Sequence, residues 1–190
     1  MVKGNILFIF LKIISIVCFA NQNVDSIIHD TTINSKIILR NSISIEKNLG
    51  DVMPKLNSDK DLPDVYFRNK SGTEYLRLVF FPGDVNNTVS LFEVSKADLS
   101  SAPLKSYQSV FPYFLTESGI KLGMTISDVV GKKGNQFKKA SKGKMIVIKY
   151  SIDYEDNPKF LAAYNMPLYI AEYTFKNGIL VKFIFGFEYP

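Results

Sequence analysis

The chain has 190 residues, 46% of them hydrophobic, and carries a formal net charge of +5 with one cysteine and one histidine. A single histidine, His29, cannot supply a zinc site built from several Cys or His ligands, and we expect it in a mobile leader, far from any nucleophile. The charge excess is too mild to indicate a nucleic-acid partner. The composition therefore favours a non-enzymatic protein without a cofactor.

Residues 1–20 have the pattern of a secretory signal. Lys3 gives a basic start, the following segment is apolar apart from Lys12 and Ser15, and Ala20 fits the last position before cleavage. This predicts a secreted or periplasmic protein, with a retained N-terminal anchor as the alternative. A second alternative is a lipoprotein acylated at Cys18, the one case in which we expect membrane association. Cleavage after Ala20 would leave no cysteine and therefore no disulfide.

Residues 21–34 are polar and without periodicity, which predicts a flexible leader. A first α+β unit is predicted over 35–94, opening with an extended stretch from Ile37 to Ile45. A short helix capped by Asn48 should follow, with Leu49, Val52 and Met53 on its buried face. Strands are predicted at 65–68, 73–81 and 88–94, followed by a linker over 95–110.

A second unit is predicted over 111–190. Thr125 and Asp128 form a capping box at the start of a helix that ends at Gly131 and Gly134, and 145–150 reads as a strand. Asn177-Gly178 predicts a tight hairpin between strands 169–175 and 179–187. Strict alternation on the second strand places Val181, Phe183, Phe185 and Phe187 toward the core, and Leu180, Lys182 and Ile184 on the outer face.

The segment 43–55 matches the segment 120–132 in its pattern of apolar, glycine and acidic positions. This predicts a tandem repeat of one small unit. The fold class expected is α+β in two layers, with short helices packed on an antiparallel sheet.

The run Gly119-Ile120-Lys121-Leu122-Gly123-Met124-Thr125, followed by a capped helix and strands, resembles a bacterial envelope module. It is similar to the SmpA/OmlA small outer-membrane lipoproteins and to the β-lactamase-inhibitor proteins. The closing Phe-Glu-Tyr-Pro also resembles secreted proteins of Bacteroidetes-type bacteria. The resemblance implies helices on one face of an antiparallel sheet and work by protein binding. It transfers no functional residue, because the sequence around Cys18 is a poor match to the lipoproteins' acylation site and the inhibitors' disulfide cysteines are lacking.

The candidate binding surface is the outer face of the last hairpin, rimmed by a lysine-rich loop. Its members are Leu180, Lys182 and Ile184 with Lys132, Lys133, Lys138 and Lys139. Exposed apolar groups edged by charge often mark a protein contact. For the lysines taken alone, the sequence favours a solvated loop over a binding loop.

The acidic run Asp153–Asp156 has oxygen ligands of the kind that calcium prefers, without EF-hand spacing. Its carboxylates could also serve a hydrolase, although nothing places a partner group opposite them. We expect an exported, non-enzymatic binding or scaffolding module. The alternative is an inhibitor of a secreted hydrolase that inserts the loop 82–87 or 153–158.

Overall fold

Strand-forming residues dominate the chain after residue 60, and they pair mainly with their neighbours in sequence. The computed structural model describes residues 28–57, 62–81, 87–98, 103 and 105–188. The predicted signal, Cys18, the cleavage site and most of the loop 82–87 lie outside these ranges.

The described elements comprise ten strands, three α-helices and a 3-10 turn at Met53–Lys55. In chain order the strands are β1 (Thr32–Ile33), β2 (Ile37–Ile38), β3 (Asp64–Arg68), β4 (Glu74–Val79), β5 (Leu91–Lys96), β6 (Tyr107–Gln108), β7 (Lys138–Lys142), β8 (Met145–Ile152), β9 (Leu168–Lys176) and β10 (Ile179–Glu188). The helices are α1 (Ser42–Leu49), α2 (Ile126–Lys133) and α3 (Pro158–Tyr164).

Eight of the strands form one sheet in the order β6-β3-β4-β5-β10-β9-β8-β7, and β1 pairs with β2 separately. The α+β class is confirmed. The sheet is mixed rather than purely antiparallel, because β6 runs parallel to β3 while the other pairings are antiparallel. The antiparallel pair β5–β10 joins the two predicted units into one continuous sheet.

The hydrophobic core lies between the helices and one face of this sheet. Alternate residues of the central strands are fully buried there, including Tyr173, Phe175, Phe183, Phe185 and Phe187, as their spacing predicted. The helices contribute Ile45, Leu49, Val129 and Leu161 to the same cluster. The opposite face of the sheet, called the outer face below, carries the polar alternates.

The first helix begins earlier than the sequence pattern indicated. Asn41 is its cap, with a side chain that accepts a hydrogen bond from the Ser44 backbone N–H at 2.9 Å, so the prediction of an Asn48 cap was wrong. Asn48 lies inside the helix and donates to the Ser44 carbonyl at 2.7 Å. The helix closely follows the β1–β2 pair, and Gly50 ends it directly after Leu49.

The tandem repeat is not shown by the structure. Helix α1 spans residues 42–49, whereas the residues aligned with it are non-helical up to Thr125, the cap of α2, which begins at Ile126. The capping box of α2 is present as predicted, and Gly134 ends the helix while Gly131 lies within it. The shared pattern therefore does not correspond to a shared local structure.

Three segments predicted to be irregular are part of the fold. The described end of the leader is packed, since Asp30 and Ile33 are fully buried and Ile33 belongs to β1. The predicted linker 95–110 contributes the end of β5 and all of β6. The turn after Asp156 opens α3, where Asn157 caps the helix and Pro158 takes the first position, a place that needs no N–H donor.

None of the helices in the described ranges is long and apolar enough to cross a membrane.

Candidate functional site

The candidate surface depends on which way each side chain of β10 points. The strand pairs Leu180 with Phe175 and then Lys182 with Thr174, so Val181 is an extra residue in a β-bulge. Leu180 is therefore 0% exposed in the core, and its prediction as an outer-face residue was wrong. Val181 instead lines a cavity on the outer face. A bulge shifts the alternation by one residue, and the sequence alone did not indicate it.

Lys182 and Ile184 do lie on the outer face, in two rows of side chains that run across the sheet. The strand registers place Arg68, Tyr75, Ser95, Lys182, Thr174, Val147 and Ala140 in one row, and Tyr66, Arg77, Glu93, Ile184, Glu172, Lys149 and Lys138 in the next. Lys182 and Ile184 are half-buried between these neighbours. The outer face is therefore a continuous surface of aromatic, aliphatic and charged groups.

Arg77 organises the charges at one end of the outer face. Its Nε donates to Oδ2 of the fully buried Asp64 at 2.8 Å, and its Nη1 lies 3.4 Å from Oε2 of Glu93. Lys182 Nζ lies 3.9 Å from the same Glu93 oxygen. Burial by itself would lower the pKa of the Arg77 guanidinium. The combined effect of Tyr66, Glu93 and Asp64 in the opposite direction is larger, so this pKa is raised. The guanidinium is held in one position by this network.

A partly open cavity of about 370 Å³ lies beside this network on the outer face. Its lining combines two tyrosine rings in an edge-to-face pair, Tyr66 and Tyr75, with centroids 6.3 Å apart. Other lining residues include Glu93, Met145, Thr174, Val181 and Lys182. Tyrosine and methionine, which are enriched at protein contact surfaces, are both present in this lining.

The predicted lysine-rich loop is divided between two regular elements. Lys132 and Lys133 belong to α2, whereas Lys138 and Lys139 begin β7, the exposed strand at the edge of the sheet. Lys133 was predicted to rim the binding surface, and this was wrong, because its side chain is 1% exposed. Lys133 follows the buried Val129 by four residues, and this helical spacing is the signal that could have predicted its burial.

Lys133 closes a buried polar network that the sequence did not reveal. Its ammonium lies 2.5 Å from Oδ2 of Asp30 and donates to the Ile28 carbonyl at 2.7 Å. The Ser118 backbone N–H and hydroxyl also donate to the Asp30 carboxylate, at 2.8 and 2.9 Å. The Tyr169 hydroxyl donates to the Asp30 carbonyl at 2.7 Å and accepts from its N–H at 2.9 Å. These contacts hold residues 28–30 against α2 and the sheet.

Burial shifts the pKa of two members of this network, Lys133 and Tyr169. It lowers the pKa of Lys133 despite the opposing effect of Asp30, and it raises the pKa of Tyr169 well above its ordinary value. The network is enclosed, so we assign it to stability rather than to binding.

The acidic run Asp153–Asp156 forms an exposed turn. Asp153 Oδ1 accepts from the backbone N–H groups of Glu155 and Asp156 at 2.9 and 3.1 Å, and Asp156 Oδ2 accepts from the Asp153 N–H at 3.2 Å. These two carboxylates hold the turn by bonding its own backbone. In the described part of the chain, no three His, Cys, Asp or Glu side chains are grouped as metal ligands.

Comparisons with protein-family models, with curated proteins and with solved structures found no match to this chain.

Proposed function

We propose that this chain is an exported, non-enzymatic binding or scaffolding module of the bacterial cell envelope, which engages a protein partner through its outer face. The observation that carries the proposal is the asymmetry of the sheet. One face is covered by the helices, and the other presents Ile184, the tyrosine pair and a fixed charge network. Export is supported by the signal-like pattern of residues 1–20.

Two features of the outer face favour a protein partner over a small ligand. The cavity is partly open to solvent and is lined by members of two rows of mostly half-buried side chains, which suits a broad contact. The Arg77 network is already ordered, so binding loses little side-chain entropy there. Arginine and tyrosine are also the residue types enriched at interface hot spots.

A photo-reactive amino acid at Thr174, on the outer face, tests the proposal in an envelope fraction. The matched control carries the same group at Lys47, an exposed position on α1 on the other side of the molecule. We expect a saturable cross-link from position 174, lost in the Ile184→Asp background, and none from position 47. Equal yields at the two positions, or no cross-link from position 174, would contradict the proposal.

A second candidate function is inhibition of a secreted hydrolase by the turn 153–156. The specific observation in its favour is Tyr154, which is 61% exposed at the tip of a turn held rigid by Asp153 and Asp156. A projecting aromatic ring on a preorganised turn can fill a pocket of a target with little loss of entropy. Tyr154→Ala should then abolish inhibition of envelope hydrolases without lowering the melting temperature, and inhibition that survives it would exclude this turn.

A further inference from the structure

The edge strand β7 has an unusual concentration of lysines around it. Three lie on the strand itself (Lys138, Lys139 and Lys142), and three more come from the adjoining hairpins (Lys144, Lys149 and Lys176). The Asn177 N–H donates to the Lys144 carbonyl at 3.0 Å, which brings the two hairpin turns together. We call these six residues the lysine corner.

The lysine corner has few acidic neighbours among the residues that the structure describes. Across the described ranges, none of the six ammonium groups has a carboxylate within 4.0 Å. Glu172 is the acidic residue that stands opposite Lys149 in the β8–β9 register. Lys138 also stands directly opposite Lys149. Like charges facing each other across a ladder are destabilising, so the fold tolerates a cost at this position.

Protection of the sheet edge explains only part of this arrangement. Lysines on an edge strand discourage pairing with other chains, and Lys138, Lys139 and Lys142 could serve that purpose. Lys144, Lys149 and Lys176 are not on the edge strand, so edge protection does not account for them. Together the six lysines create a positive electrostatic field beside the edge of β7 that no described strand covers.

We infer that β7 accepts an extended acidic segment of a partner protein as an additional strand of the sheet. All five residues of β7 are exposed, and among the described strands its backbone pairs with β8 alone. Strand addition to a free edge takes its affinity from main-chain hydrogen bonds and its specificity from the side chains opposite. A second copy of this chain does not fit, because its own β7 would place lysine against lysine.

The spacing of the lysines defines the acidic segment. Lys138 and Lys142 share the outer face of β7 about 13 Å apart, at about 3.3 Å per residue, while Lys139 points to the other face. An antiparallel partner strand therefore needs acidic residues at its first, fourth and fifth positions. Its third position lies opposite Ala140, where a β-branched residue suits the small side chain. This inference rests on the proposed function for the claim that the partner is a protein.

Fluorescence anisotropy with a labelled peptide, Thr-Glu-Thr-Val-Glu-Glu-Thr, tests the inference on the purified protein at 0.15 M salt. A control peptide keeps the three glutamates and replaces the second and last threonines by proline, which cannot donate to a ladder. We expect the first peptide to bind at least tenfold more tightly, and the β7 amides to exchange at least tenfold more slowly in its presence. Equal binding of the two peptides would overturn strand addition and leave a purely electrostatic patch.

Charge-reversal variants provide the matched control. The double variant Lys138→Glu/Lys142→Glu should bind the peptide at least tenfold more weakly. Lys36→Glu/Lys47→Glu, which changes the net charge equally at exposed positions elsewhere, should change binding less than twofold. Equal losses in the two variants would overturn the inference, because net charge alone would then explain binding.

Two further arms separate this inference from its alternatives. Vesicles of anionic phospholipid that retain the protein, without peptide binding, would identify the corner as a membrane-contact surface and overturn the inference. The Ile184→Asp variant should retain full peptide binding. If this variant binds the peptide and the Thr174 cross-link is absent, the outer-face proposal fails and the strand-addition site stands. If the cross-link forms and the peptide does not bind, the strand-addition site fails and the outer-face proposal stands.

Discussion

Replacing Lys133 by methionine should destabilise the protein more than any other single lysine change in the described chain. Methionine fills the volume of the lysine stem but leaves the Asp30 carboxylate fully buried without its cation. Removing one partner of a buried ion pair costs about 3–5 kcal/mol. For a domain of this size that corresponds to a fall in melting temperature of roughly 6–20 °C.

Urea unfolding followed by circular dichroism measures this loss, with the slope of the transition checked for constancy. Lys132→Met is the matched control on the same helix, and its half-buried side chain should cost less than about 1 kcal/mol. The double variant Asp30→Asn/Lys133→Met should recover at least half of the loss, because the asparagine oxygen can still accept from the Ser118 N–H and no charge remains buried.

Hydrogen exchange of the backbone amides shows which segment the Lys133→Met substitution destabilises. Lys133 also donates to the Ile28 carbonyl, so its loss should release residues 28–33 and increase the exchange of their amides first. The reasoning is refuted if Lys133→Met costs no more than Lys132→Met, or if the double variant is as unstable as the single one.

Three further predictions concern the sheet and one half-buried carboxyl. Gly186→Ala should cost roughly 2 kcal/mol or more in urea unfolding, because its φ is +145° and a Cβ would lie 2.2 Å from the Ser90 carbonyl oxygen; a neutral result would show that β5 can move away. Leu180→Ala should cost about 2–5 kcal/mol and Ile184→Ala about 1 kcal/mol or less in the same assay, and the reverse order would contradict the bulge. Burial raises the pKa of Glu74 above 4.5. The native state therefore binds the Glu74 proton more tightly than the unfolded chain does. The stability that this proton supplies is complete below pH 4.5 and is lost as the pH rises through the raised pKa. The melting temperature of Glu74→Gln should therefore rise relative to that of the parent as the pH increases from 4 to 7. Melting temperatures of the two proteins that change in parallel with pH would contradict a raised pKa at Glu74.

The outer face and the lysine corner lie next to each other, so one partner could contact both surfaces. Lys138 and Lys149 end the row of outer-face residues that contains Ile184. A partner strand added at β7 would extend the sheet and could bring its own domain toward the same face. The two experiments can therefore identify separate contacts of one partner.

Features that depend on neighbours in sequence were predictable. The Asn177-Gly178 turn, the alternation of Tyr173 and Phe175, and the Thr125–Asp128 capping box all follow from interactions within a few residues. Their backbone and side-chain preferences act in the same direction as the final packing, so tertiary structure only confirms them.

Features that depend on distant contacts were decided by the tertiary structure. Lys133 is buried because Asp30, 103 positions earlier in the chain, supplies a counter-charge beside it. Leu180 turns inward because the bulge at Val181 lets β10 keep its pairing with β9, a choice that no local pattern encodes. Charge compensation and strand register are properties of two segments together, and a single segment read by itself carries information on neither.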